Sequence, residues 1–578
     1  MKFDYRTGDS IKDFFVNEKI EQSVYFYEIS VKFQEKIIPQ EFTIKFTIPM
    51  KDVDGIWTPL DSKNTEVLPH WNPHKIESNI SQGMPLFCAY SDGGENRFSV
   101  ALSELKSNVY IGVGVVEETC ECEVEIKLFT TPVNSIDEYS FIVRVDYSKI
   151  PFYSAIKDVK NWWEKSVGAK PCVAPEASKY PVYSTWYYFH QNITASGLLK
   201  ELRIAKDLGF DTVIVDDGWQ CDDNNRGYAF AGDWIPAPKK IGNAREFVQE
   251  CHNIGIKAMF WYSVPFIGYE TENFERFKGK YLSLDDGQRC AILDPRFKEV
   301  RDFLIGLYIE AVKNFDLDGL KLDFIDSFKI TPSSPSNYAD MDIPVLEEAV
   351  FVLMYDVHRK LTEIKPQIML EFRQKYIGPM ICAFGNMLRV SDCPYSGRNN
   401  ARASIDLRLT SGDIPVHTDM TMWHKDTCKE DVARQLMLGL FAVPQISVKL
   451  SEIQDEHCKV IKEYLKYWRE NMDLLLSGDF YCSAPSNTYS FAGVKNTNKE
   501  IVMLMTKTNC HIKNDNTDIF NITGENIVYL DFENAVGLYK IKVIDCIGKE
   551  ISSDIFEISG VMKVYSPKTS RIVVERME

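Results

Sequence analysis

From about residue 180 to about residue 470, short apolar runs alternate with helical patterns, and this alternation limits the chain to very few folds. The runs are Val182 to Trp186, Thr212 to Asp216, Lys257 to Trp261, Gly319 to Asp323, Ile368 to Phe372, Met387 to Ser391, Pro415 to Asp419 and Val443 to Lys449. Amphipathic helices separate them. One carries Leu198, Leu202, Ala205 and Leu208 and stops at Gly209; another carries Phe247, Val248 and Cys251 with Gly255 past its end. Eight strands alternating with helices predict a closed (β/α)₈ barrel. An open doubly wound sheet is the alternative, but no glycine-rich phosphate turn follows the first run.

The flanks read differently. Up to about residue 150 polar and apolar residues alternate with period two, as at Phe42, Ile44, Phe46 and Ile48, which predicts a β-sandwich. Its expected role is structural, with a wall or lid for the neighbouring site as the rival. Residues 151–176 read as a helical linker carrying Trp162 and Trp163, 177–475 as the barrel, and 476–578 as a small antiparallel β domain. The fold expected is thus multidomain α/β, with a central TIM barrel between β domains.

With 578 residues, several cores are needed. A net charge of −17 disfavours nucleic acid and anionic membrane surfaces as partners. No run of 18 apolar residues and no secretory signal appear, and the 14 cysteines show no disulfide or zinc spacing. A cytoplasmic protein is expected, and the reading requires neither metal nor cofactor.

In such a barrel, chemistry sits at the C-terminal ends of the strands. There the chain places Trp186, then Asp216-Asp217-Gly218-Trp219, then Trp261, Asp323, Glu371 with Arg373, Ser391-Asp392, and His417 with Asp419. Lys321 and Asp323 lie on one side of their strand, an expensive burial unless the pair is used. Asp323 and Asp392, on different strand ends, suggest double-carboxylate glycoside chemistry. One carboxylate attacks the anomeric carbon while the other delivers a proton, so their pKa values must be pushed apart. Lys321 would keep Asp323 ionised. The surroundings of Asp392 suit a raised pKa, which Arg398 and Arg402 oppose. Asp216 and Asp217 point oppositely along a strand and are expected on sugar hydroxyls, with Trp186, Trp219 or Trp234 stacking on the ring. A metal-dependent hydrolase built on His417, Asp419 and His424 is a rival, weakened by the lack of a His-x-His pair on the early strands. His190, after the first strand, is a further pocket candidate.

Tyr183 to Trp186, Leu208 to Trp219, Gly232 to Trp234, Gly255 to Trp261, Leu293 to Leu304 and Lys321 to Asp323, in that order, resemble glycoside hydrolase family 36, the α-galactosidase or melibiase family. The resemblance implies a retaining α-galactosidase, with Asp323 as nucleophile and Asp392 as acid/base. It implies that Asp216 and Asp217 read the O4 and O6 hydroxyls, that Lys321 adds a hydroxyl contact, and that Trp234 forms an aromatic wall. It also implies that Arg289 is the sugar-binding arginine, one residue out of the usual spacing. It favours a homo-oligomer and an oligosaccharide or glycoside substrate. Glu371, Arg373 and Arg402 complete the expected substrate-binding set. Where the family carries Glu-Ser-Cys-Ser-Ser-Gly-Gly at the sugar 2-position, this chain reads Glu371 to Lys375 as Glu-Phe-Arg-Gln-Lys. The acid/base element continues as Cys393-Pro394-Tyr395 rather than Asn-Thr-Asp. Related α-glycosidases and raffinose-synthase-like transglycosylases remain alternatives.

Overall fold

The structure is a computed structural model that describes all residues except 60–62, 337–339, 374–377, 534–535 and 578. Eight parallel strands form the central sheet: Val182–Ser184, Thr212–Val215, Lys257–Ser263, Gly319–Asp323, Met369–Arg373, Met387–Arg389, Val416–His417 and Gln445–Ile446. Seven adjacent pairs carry ladder register, and the eighth strand lies beside the first, Val182 opposite Gln445. The sheet closes between the seventh and eighth strands through two isolated bridges, His417 to Val443 and, just past the seventh strand, Thr421 to Ile446. There Val443 N donates to the Val416 carbonyl at 2.7 Å and Thr418 N to the Val443 carbonyl at 3.0 Å.

The helices fold where their capping residues direct. Thr194 caps Ala195–Leu208 by accepting from Gly197 N, and that helix ends on the left-handed Gly209. Asn243 caps Ala244–Ile254 in the same way, with left-handed Gly255 past its end. Leu198, Leu202, Ala205, Phe247, Val248 and Cys251, the apolar stripes read from the sequence, are buried against the barrel.

On the N-terminal side, a five-stranded and a six-stranded sheet pack face to face around Ile29, Phe46, Val100, Ile111 and Val124. The helix Phe152–Trp162 follows, and Trp162 and Trp163 join the barrel's core. The sandwich docks through side chains: Trp57 Nε1 donates to Asp406 Oδ1 (3.0 Å), and Thr131 Oγ1 to Glu347 Oε1 (2.9 Å). The C-terminal domain holds a seven-stranded and a three-stranded sheet. Most of its pairs are antiparallel, but Glu500–Leu504 runs parallel to Asn516–Asn521 and Asn509–His511 parallel to Ile527–Asp531.

The sequence gives no sign of the small antiparallel sheet inserted after the third barrel strand, formed by Phe266–Gly268, Tyr281–Asp285 and Cys290–Leu293. It determines where Arg289 lies. The expected 326–340 loop lies partly outside the described residues.

Candidate active site

At the C-terminal mouth of the barrel a small pocket is lined by Trp186, Asp216, Asp217, Tyr228, Trp261, Lys321, Asp323, Phe324, Arg373, Arg389 and Asp392. The first six barrel strands, or the turns directly after them, all contribute to it. Both expected catalytic aspartates face this one space.

Asp323 ends the fourth strand, opposite Ser263 of the third. Its Oδ2 accepts from Trp261 Nε1 at 3.1 Å, and its Oδ1 accepts from Phe324 N at 2.8 Å and lies 2.8 Å from Arg373 Nε. Arg373 also covers the Phe324 ring at 4.7 Å, and Phe324 turns the chain out of the strand with φ at 66°. Burial works to raise the Asp323 pKa, but Arg373, Lys321 and the Trp261 hydrogen bond outweigh it and hold the carboxyl below its ordinary range. This is a carboxylate kept ionised and fixed in orientation, as an attacking group requires.

Asp392 sits on the loop after the sixth strand with its side chain 43% exposed. Arg389 Nη2 donates to its Oδ1 at 2.9 Å. The pKa expected to rise instead falls to about 2: burial pushes it up, but the charge of Arg389, then Lys321 and the Arg389 hydrogen bond, pull it further down. The expected opponents, Arg398 and Arg402, are not the residues responsible. Arg398 donates to the Met505 carbonyl (3.0 Å). Arg402 is buried in the helix Gly397–Arg408 and does not line the pocket.

The side expected to read the sugar is tightly tied. Lys321 Nζ donates to Asp216 Oδ2 at 2.5 Å, both groups nearly inaccessible. Asp217 accepts from Gln191 Nε2 and Gln220 Nε2, each at 2.7 Å. Burial pushes its pKa up to about 6, partly offset by those two amides. Gly218, at φ 110°, makes this turn possible: a Cβ there would stand 2.4 Å from the Cα of Gln191.

Besides Arg402, four expected contacts lie elsewhere. Trp219 is fully buried, donating to the Trp261 carbonyl (2.9 Å) and stacked at 5.8 Å on the buried Trp234, so both rings brace the wall that Trp261 presents rather than facing the pocket. Glu371 is inaccessible beneath the floor, accepting from Gln445 Nε2 at 2.5 Å, and burial raises its pKa. Arg289, in the hairpin turn of the inserted sheet, is 58% exposed and pairs with Glu270 outside the pocket. Trp186 does line the pocket, edge-on to His190 at 4.8 Å. His190 itself is held by Arg226 Nη2 at 2.6 Å and is not among the lining residues.

The sequence reading missed Tyr228, Phe324 and Arg389. Tyr228 comes from an irregular segment with no periodic signal. Arg389, by contrast, is a charged residue inside an apolar strand, the anomaly that marks Lys321, and that signal could have found it. The metal rival's residues diverge. His417 is buried with Nε2 on the Ser178 carbonyl (2.7 Å), and burial pushes its pKa down to about 3. Asp419 is bound to Arg389, and His424 is exposed beside Asp426. Among the described residues no group of three or more His, Cys, Asp or Glu side chains could hold a metal ion.

Residues 177–378 match the melibiase family model. In sequence the chain is similar to α-galactosidase Mel36A of Lactobacillus acidophilus, 27% identical over 29% of this chain and 23% of that one. It is also similar to α-galactosidase 2 of Pediococcus pentosaceus, 24% identical over 34% and 28%. These matches span about a quarter of the relatives' length. In fold the likeness is much wider. The α-galactosidase AgaA of Geobacillus stearothermophilus superposes with a TM-score of 0.66 at 12% identity, over 96% of this chain and 80% of that one. The α-galactosidase of Lactobacillus brevis gives 0.66 at 12%, over 100% and 85%. The segment 177–378 thus carries the sequence pattern of the melibiase family, and the chain as a whole shares the fold of the glycoside hydrolase family 36 α-galactosidases it superposes on.

Proposed function

We propose that this protein is a retaining α-glycosidase that removes terminal α-galactosyl units by double displacement at Asp323 and Asp392. The observation that carries the reading is the convergence of these two carboxylates, from the fourth and sixth strands, on one pocket beside the Asp216, Asp217 and Lys321 cluster. Asp323 attacks the anomeric carbon and forms a glycosyl ester as the leaving oxygen departs; water then releases the sugar with Asp392 as its base. Asp216, Asp217 and Lys321 hold sugar hydroxyls, with the Trp186 and Trp261 rings as walls. The relatives support galactose: a variant of the Geobacillus enzyme has been solved with raffinose, another with stachyose and another with 1-deoxygalactonojirimycin.

A second reading, a related α-glycosidase with a different preference at the sugar 2-position, is favoured by Arg373. It projects into the pocket from the segment where the family carries its Cys- and Gly-rich turn. Gln374 and Lys375 of that segment lie outside the described residues. A panel of p-nitrophenyl α-glycosides decides between the two. Turnover of the α-galactoside with loss in Asp323→Ala supports the first reading, and turnover of only the N-acetylgalactosaminide or glucoside the second. A cytoplasmic location and a homo-oligomer belong to the same proposal. No helix among the described residues is long and apolar enough to cross a membrane, and the cysteines are free thiols.

A further inference from the structure

Arg389 has an unusual place beneath the acid side of the pocket. It is inaccessible apart from what it shows the cavity, and three carboxylates from three strands converge on it. Nη1 donates to Asp419 Oδ1 at 2.6 Å and to the Val390 carbonyl at 3.1 Å. Nη2 donates to Asp392 at 2.9 Å, and Nε stands 3.7 Å from Glu371 Oε1. Asp419 is itself fixed: its Oδ2 accepts from Tyr187 OH and from Cys393 N, each at 2.7 Å, and its backbone is clasped by Asn400. The guanidinium is therefore an immobile cation, and Asp392 is its most exposed partner.

The remaining charges around Asp392 do not cancel that hold. Lys321 and Arg373 face it from the fourth and fifth strands and also favour its ionised form. Asp323 and Asp216 oppose them, but each is already paired, with Arg373 and with Lys321. Asp419 accepts on both oxygens, from Arg389, Tyr187 OH and Cys393 N, and burial holds the Tyr187 proton on its own oxygen, so neither supplies one to Asp392.

We propose that Arg389 is a positioning residue that keeps Asp392 a carboxylate through the first chemical step, directing the pocket toward α-glycosides whose leaving oxygen is weakly basic, as in aryl glycosides. The proposal rests on the α-glycosidase reading. In that step Asp323 forms its bond to the anomeric carbon, the glycosidic C–O bond breaks, and its electron pair leaves on the aglycone oxygen. A phenolate carries that charge unaided, whereas an alkoxide needs a proton. In the second step Asp392 takes the proton of the attacking water and passes it to solvent.

The test compares wild-type kcat/KM for α-galactosyl fluoride, p-nitrophenyl α-galactoside and methyl α-galactoside between pH 5 and 7. The expected result is a methyl-galactoside to fluoride ratio of kcat/KM that climbs close to tenfold per unit as pH falls, because only the rare protonated Asp392 serves the methyl glycoside; any loss of sugar binding common to both cancels in the ratio. A ratio that stays constant across this range overturns the proposal. Arg389→Met should then produce such a constant ratio and raise the methyl-to-aryl ratio about tenfold or more, while Arg389→Lys, which keeps a cation, should stay close to wild type. If Arg389→Met does not fold, the wild-type profiles alone still decide. Failure of the underlying reading looks different: none of the three substrates is turned over.

Discussion

The two aspartates of the pocket are held in contrasting ways. Asp323 is rooted in the middle of a closed sheet, with donors on both of its oxygens. Asp392 stands on a loop with one dominant partner and nearly half its side chain open. A nucleophile must not move and must stay charged, so an orienting cage suits it. A base must take a proton from the attacking water and pass it to solvent, which calls for access. On the proposed roles, the barrel supplies the rigid half of the chemistry and the loops supply the adjustable half.

This contrast is sharpest under truncation. Asp323→Ala should lower kcat for an aryl α-galactoside by more than about 10⁴-fold, since no other group can form the ester. Asp392→Ala should cost about 10²-fold with the same substrate, the low end of what acid/base assistance supplies. Steady-state kinetics of the two variants side by side would break the contrast if the losses were equal. Asp217→Asn should raise KM about 10- to 100-fold with a smaller change in kcat, as hydrogen bonds from sugar hydroxyls to a charged acceptor are lost. Since the pKa of Asp217 is pushed up to about 6, lowering the pH through that value protonates a hydroxyl acceptor. KM in the wild type should therefore climb below about pH 6, and the Asn variant should lack this limb. The smallest effect is expected at Gly218→Ala, where the φ of 110° and the Gln191 backbone resist a side chain. A loss of about 1–3 kcal/mol in denaturant unfolding would match the strain of a side chain in that backbone region.

Much of the barrel was legible because its signals are local. Period-3.6 stripes, Thr194 and Asn243 at helix starts, and Gly209 and Gly255 at helix ends all act within a few residues. Asp216, Lys321 and Asp323 were legible because a charge in an apolar strand must be compensated. Trp219 and Trp234 misled for a physical reason: both follow a strand end, where a turn can send a ring to the cavity or behind its wall, and alternation does not distinguish the two. Arg289 misled because its hairpin forms through pairing between 266–268, 281–285 and 290–293, a tertiary event. The ionisation of Asp392 was illegible without Asp419, which approaches from another strand to fix Arg389.

The closure of the barrel has one more consequence. Seven of its joints are ladders, but the seventh and eighth strands meet only through two isolated bridges, His417 to Val443 and Thr421 to Ile446, with the Thr418 hydroxyl between them accepting from Gln445 N at 2.9 Å. Such a seam is where the cylinder should open first, with the amides of Thr418 and Val443 exchanging with solvent ahead of those in Lys257–Ser263. Asp419 lies between the two bridges, so the Asp392 side of the pocket should lose its shape in partial unfolding while the Asp323 side is still intact.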